Sequence, residues 1–204
     1  MLQLSRIGLT TLTFVVLCLG HAASTQADTI AFTGSRQILN NPPAAPNLAR
    51  CGDPPNNLVS ANPGTGTSNL GAFTTTESFC ANSATGDISN GLFSFNFTSG
   101  LASGSTLVGT ISGTTAPPVG GVATNLFTFS ITGGTGLFAG ATGTLSGPGT
   151  VTFLPGGFTN GTNTLSGTIT TVPEPTTMLL LGTGLAGVAT KMRKRRKADK
   201  SEEV

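Results

Sequence analysis

Two short runs alternate a large apolar side chain with a smaller or polar one. Leu92 to Thr98 places Phe93, Phe95 and Phe97 on one face, and Leu126 to Thr132 does the same with Phe127, Phe129 and Ile131. A period of two residues is that of a half-buried β-strand, so any fold must give each run one apolar and one wet side. Thr29 to Thr33, Thr106 to Ser112, Gly143 to Ser146, Thr150 to Leu154 and Asn163 to Thr171 are further strand candidates, separated by Gly, Pro and Asn turn signals. With 29 Gly, Phe as the sole aromatic at 12 residues and 9% charged residues, the bias is towards sheet and turn. The expected fold is all-β, an antiparallel β-barrel or sandwich, with no amphipathic helix in the body. The stretches Gly109 to Gly113, Gly143 to Gly147 and Leu165 to Ile169 read as similar hairpin strands, too unevenly spaced for a solenoid. Residues 34–78, with Pro42, Pro43, Pro46, Pro54, Pro55 and Pro63, read as one irregular loop.

Both ends carry targeting signals, which leave about 145 residues for one domain over residues 28–171. Arg6 closes a short positive region, and Ile7 to Gly20 is an apolar stretch of the kind found in a secretory signal helix over residues 1–27. Thr25, Gln26 and Ala27 suit cleavage by signal peptidase between Ala27 and Asp28, with a cut after Ala23 as the alternative and an uncleaved anchor as the bland reading. Cys18 follows Leu17 within the apolar run and fits a lipoprotein signal poorly.

At the other end stand Val172, Pro173, Glu174 and Pro175, then the apolar run Thr176 to Thr190, then Lys191, Met192, Arg193, Lys194, Arg195, Arg196 and Lys197. The prolines cannot continue a helix or a ladder, so the tetrapeptide is an extended handle suited to a processing enzyme's groove. A helix over residues 176–192 would be only about 25 Å long against a hydrocarbon core of about 30 Å, a short transmembrane helix at best. Lys191, Arg193, Lys194, Arg195, Arg196 and Lys197 form a stop that stays on the cytoplasmic side. Each piece alone has an ordinary explanation as an anchor, a hinge or a solvated charge run; the order of all three at the terminus is far more specific.

This ending over residues 172–197 resembles the PEP-CTERM sorting signal. The resemblance implies export through the secretion machinery, temporary residence in the inner membrane, and removal of the tail near the motif by exosortase, a membrane-embedded cysteine peptidase or transpeptidase. It also implies a final place at the cell surface or outside the cell, in Gram-negative bacteria that often make exopolysaccharide. Residues 198–204 extend past the basic cluster as a cytoplasmic tail, where many such signals stop.

Loss of the signal peptide takes Cys18 away and leaves Cys51 and Cys80, an even pair that reads as a disulfide in an oxidising compartment, worth roughly 3 kcal/mol in the chain-entropy model, against two free thiols. The body has no Lys, and its charges are Arg36 and Arg50 against Asp28, Asp53, Glu77 and Asp87, so it has no means of binding nucleic acid. His21, the one histidine, belongs to the signal region, which removes imidazole triads, bases and metal sites. The four carboxylates read as solvated loop charges, so the body is expected to be non-enzymatic, without cofactor or metal.

Ile131 to Gly143 contains Gly134, Gly136 and Gly140 after a strand, but with the wrong spacing and no following helix for a dinucleotide loop. A tight turn with Leu137 and Phe138 over the end of a barrel fits better. It looks like the Gly-Gly-Thr-Gly-x-Phe-x-Gly-Ala segment of dirigent-like and allene-oxide-cyclase-like β-barrels. Three readings of the body follow. It is a noncatalytic envelope or matrix protein meeting extracellular polymer such as polysaccharide through a Thr-, Ser- and Asn-rich surface. It is a small barrel that binds an apolar ligand or acts as a cyclase-like enzyme, for which a Phe-lined cavity beside Glu77 or Asp87 would speak. Or it is a filament or adhesin subunit built through exposed strand edges.

Overall fold

Alternation extends well beyond the two Phe runs. The computed structural model describes residues 27–43 and 47–172, together with the single residue Gly184. Within them the strands are β1 (Asp28–Asn40), β2 (Asn56–Ser60), β3 (Gly64–Ser68), β4 (Gly71–Asn82), β5 (Asp87–Phe97), β6 (Thr106–Thr115), β7 (Val122–Thr135), β8 (Thr142–Phe153) and β9 (Thr159–Thr171). A four-residue helix, α1 (Leu48–Cys51), follows β1. The signal helix, the short transmembrane helix over residues 176–192, Pro173, Glu174, Pro175 and the basic cluster Lys191, Arg193, Lys194, Arg195, Arg196 and Lys197 lie outside the described residues. No described helix is long and apolar enough to cross a membrane.

All pairings are antiparallel, in the order β2-β4-β3-β1-β9-β8-β7-β6-β5, and a further pairing of β4 with β5 joins the two sides of the sheet. The circuit β1-β9-β8-β7-β6-β5-β4-β3-β1 is therefore closed, an up-and-down barrel rather than a sandwich. β2 and β3 share one place in it. β3 pairs with β1 and with the start of β4, β2 pairs with the end of β4, and the Asn40–Ala61 bridge carries the seam between them.

That arrangement corrects the reading of residues 34–78 as a loop. Gly64–Ser68 (GTGTS) has no apolar period, so nothing local announces a strand; it is one because it fills the gap between β1 and β4. Gly143–Ser146 and Thr150–Leu154, expected as separate strands, belong to the single strand β8. Pro148, which has no N–H to give, sits where the β8–β9 ladder passes from Ser146–Ser166 to Gly149–Asn163.

Glycines make the barrel interior fit. Inward-facing Gly109 lies opposite Phe93 on one side and Ile131 on the other, Gly167 opposite Phe32 and Leu145, and Gly113 opposite Phe127. A Cβ at Gly109 would stand 2.8 Å from Phe93 Cε1, and one at Gly147 2.7 Å from Phe129 Cε2. Small residues thus give their volume to neighbouring rings. Nine Phe residues form a chain of ring contacts from Phe32 and Phe138 to Phe79, with centroids 4.7 to 6.5 Å apart.

At one barrel end the connections turn inward. Leu70 between β3 and β4, Ala102 between β5 and β6, and Phe138 and Ala141 between β7 and β8 are all buried. Phe138 sits in a 3-10 turn (Gly136–Phe138) and packs on Phe97, whereas Leu137 beside it stays partly exposed. Asp28 and Thr171 are paired neighbours at this same end, so the chain enters and leaves the barrel where it is plugged.

Candidate functional site

The opposite end is hollow. Val59 on β2, Phe79 on β4, Ile88 on β5, Phe127 on β7 and Val151 and Phe153 on β8 line a cavity of about 640 Å³, within the size range of small-molecule sites. Its mouth is formed by Asn41 and Pro43 after β1, Ser83 to Gly86, Ala116 to Pro118, and Gly157. Among the described residues these connections carry Pro, Gly, Ser and Thr at the mouth and place no large apolar side chain in the lining. No Asp, Glu, Lys, Arg or His is among the described residues that line it.

The wall is polar at Asn57, Asn82, Thr85 and Thr115 as well as at the pair Asn40 and Thr159. Asn40 and Thr159 face each other across the β1–β9 ladder, and Asn40 Nδ2 donates to Thr159 Oγ1 over 3.1 Å. Asn40 is 5% exposed, and its Oδ1 is buried without a partner.

Beside the cavity a polar cluster crosses the barrel. Arg36 and Glu77 form a buried ion pair through Arg36 Nη1 and Glu77 Oε2. Arg36 Nη2 donates to Asn163 Oδ1 (3.1 Å), and Asn163 Nδ2 donates to Asn125 Oδ1 (3.0 Å) and to the Gly147 carbonyl (2.9 Å). The Arg36 guanidinium also stands over the Phe129 ring, 4.7 Å from its centroid, and Phe129 abuts Phe127 of the cavity wall. Glu77 is thus no solvated loop charge, as the sequence reading had it. It faces inward on β4, two residues before Phe79, where only a partnered carboxylate is tolerated. Asp28, Asp53 and Asp87 are exposed, and Asp87 accepts a hydrogen bond from Thr85 at the mouth.

The short helix α1 is tied to the barrel wall twice. Cys51 and Cys80 are joined by a disulfide with Cα atoms 5.4 Å apart. Arg50 donates to the Ser78 hydroxyl and carbonyl and to the Asn90 carbonyl, while Asn90 Nδ2 donates back to the Arg50 carbonyl. These contacts land on two register shifts, Ser78/Cys80 in β4 and Ile88/Gly91 in β5, and Asn90 holds a φ of 48° there.

Of the residues singled out in the sequence, Cys51 and Cys80 come together, Asp28 opens β1, and Ala27 and Val172 flank the barrel strands. Asn40, Val59, Ile88 and Val151 were not singled out. Only Asn40 carried a signal, a polar side chain at the inward phase of β1. The outer face has its own order: Ser112, Thr128, Ser146, Ser166 and Thr33 are successive cross-strand partners, a row of hydroxyls over five strands with steps of about 4.8 Å.

Among the described residues no three of His, Cys, Asp and Glu gather as a metal site would require. No curated protein and no solved structure matches the chain. A family model does match, the PEP-CTERM protein-sorting motif, over residues 171–196. It begins at the last residue of β9, so the folded barrel ends where the handling signal starts. The chain therefore carries a PEP-CTERM protein-sorting motif at its C-terminal end, and that motif implies export, processing at the membrane and exosortase as the processing partner.

Proposed function

We propose that this protein is an envelope or extracellular binding protein, freed from its inner-membrane stage by exosortase, whose barrel holds a small apolar molecule without transforming it. The cavity carries this reading: it is of ligand size, walled by Phe79, Phe127 and Phe153, and open at the end away from the chain's attachment to the sorting motif. Binding rather than cyclase-like catalysis is favoured because the described lining has no acid or base, and Glu77 is engaged by Arg36. The exported protein should bind the neutral fluorophore N-phenyl-1-naphthylamine in a saturable titration. Val151→Phe, which adds a ring to the cavity wall, should abolish that binding while leaving the thermal transition in place; saturable binding undiminished by the ring would sink the proposal.

A second reading, association with extracellular polysaccharide, draws on the hydroxyl row. Regularly spaced Ser and Thr on a strand face match the hydroxyl spacing of a polymer chain better than isolated contacts do. Co-sedimentation with the host's exopolysaccharide should fall when Thr128 and Ser166 are both replaced by Lys, and should not respond to Val151→Phe. Delivery is tested separately: in a host with the matching exosortase, intact mass should show the loss of about the last 30 residues, and Glu174→Ala should keep the tail in the inner membrane.

A further inference from the structure

Resting on the inner-membrane stage proposed above, we infer that the plugged end of the barrel is a lipid-docking face, and that Leu101 and Leu137 enter the headgroup region of the bilayer while the sorting tail holds the protein there. Leu101 stands in the β5–β6 turn, Ser99 to Gly104, where every other residue is Ala, Ser or Gly, and it is 83% exposed. Leu137 is exposed on the 3-10 turn between β7 and β8. Its N–H donates to Ser105 Oγ (3.0 Å), so the two turns are neighbours. The turn between β3 and β4 completes the face: the Ala102 N–H donates to the Leu70 carbonyl, and Asn69 Nδ2 donates to the carbonyl of Ala31 on β1.

One exposed leucine is ordinary on a folded protein. What singles out this end is the combination of place and charge. Residues 69–71, 98–105 and 136–141 contain no charged side chain, and Asp28, paired with Thr171, is the one charge that the strand ends add there. At the hollow end Asp53 precedes β2 and Asp87 opens β5, so that end would carry carboxylates into the lipid. The chain also leaves the barrel at the plugged end. Val172 is exposed, and from Thr171 to Thr176, where the apolar run begins, five residues cover at most about 18 Å even fully extended. Two leucine side chains have fewer apolar carbons than a myristoyl chain, which alone binds membranes only marginally and reversibly, so a detached barrel binds weakly. With the tail in the membrane the same contact forms within one molecule, where effective concentration makes it count. Docking in this way turns the hollow mouth away from the bilayer.

Site-directed fluorescence tests this on the tail-bearing protein, taken from a host without exosortase and reconstituted in vesicles of phosphatidylethanolamine and phosphatidylglycerol. In a Cys18→Ala background, with Cys51 and Cys80 bridged, single cysteines are introduced by Leu101→Cys, Leu137→Cys and, at the hollow end, Val119→Cys, also 83% exposed, and each is labelled with the fluorophore NBD. Ala186→Cys in the apolar run reports the tail. Spin-labelled lipids should quench the probes at 101 and 137 at least about threefold more than the probe at 119, and Leu101→Asp should cut the quenching at 137 by about half. If the probe at 186 is quenched while those at 101 and 137 are as wet as that at 119, the docking face is overturned and the membrane stage stands. If the probe at 186 is not quenched, the membrane stage falls and this inference with it. Probes at 101 and 137 that are shielded from water without lipid quenching, increasingly so as the protein-to-lipid ratio rises, would show that a second copy of the chain covers this end, and lipid docking is then overturned.

Discussion

The two ends of one barrel use the same strands differently. At the plugged end Phe32 and Phe73 lie opposite inward glycines, Phe97 packs on the loop residue Phe138, and Leu70 and Ala102 are buried beside them, so volume is filled. At the hollow end Val59, Phe79, Ile88, Phe127 and Val151 line an open space, and among the described residues no side chain of the connections is buried in it as Phe138 is at the other end. The lesson is that a barrel of this width is solid or hollow according to what its loops insert and how the inward residues are sized, not according to its strand count. Between the two regimes lies the Arg36–Glu77–Asn163–Asn125 cluster, which the fold holds with hydrogen bonds rather than with packing.

Substitutions at the two ends should have unequal effects. Truncation should separate the ends most: Phe95→Ala should lower unfolding stability by about 4 kcal/mol, whereas Phe153→Ala, already half-exposed at the mouth, should cost under about 1 kcal/mol, both read from urea denaturation. Breaking the cluster comes next. Glu77→Leu leaves Arg36 charged and buried and should cost about 3 to 4 kcal/mol, much of which Arg36→Met in the same chain should restore; a double variant no better than the single one would show that the pair is not the cause.

Loss of the disulfide through Cys51→Ser with Cys80→Ala should cost about 3 kcal/mol, with hydrogen exchange rising first in residues 48–51 and last at the plugged end. The smallest effects make the sharpest contrast. Gly109→Ala should cost about 1 to 3 kcal/mol because Phe93 and the Ser130 carbonyl occupy the space, yet Val151→Phe, a larger addition, should change stability by under about 1 kcal/mol. Equal costs at both ends would remove the distinction drawn here.

Strands rich in Phe were legible because burial on one face writes a period of two into the sequence, as in β5 and β7. Their longer partners were legible only in part: β1 runs through Asn40, beyond the Thr29 to Thr33 stretch, and β3 showed no period at all. The cavity was legible as a question. Phe127 falls on an inward face in the sequence pattern, but Val59 lies within the stretch 34–78 that reads as a loop, Phe79 stands just past it, and Asn40 gives no sign that Thr159, 119 residues away, takes one amide atom and leaves the other.

Local pattern in the sequence is enough for the sorting motif at residues 171–196, the all-β body and the inward faces of the Phe strands. Such features are written in neighbouring residues, where composition and period act directly. Only the tertiary structure decided the closure of β4 on β5 and of β1 on β9, the burial of Glu77 against Arg36, and which barrel end stays hollow. Each depends on which residues meet across strands distant in sequence, and cross-strand volume, not the identity of any one residue, settles whether a ring finds a glycine or an open space.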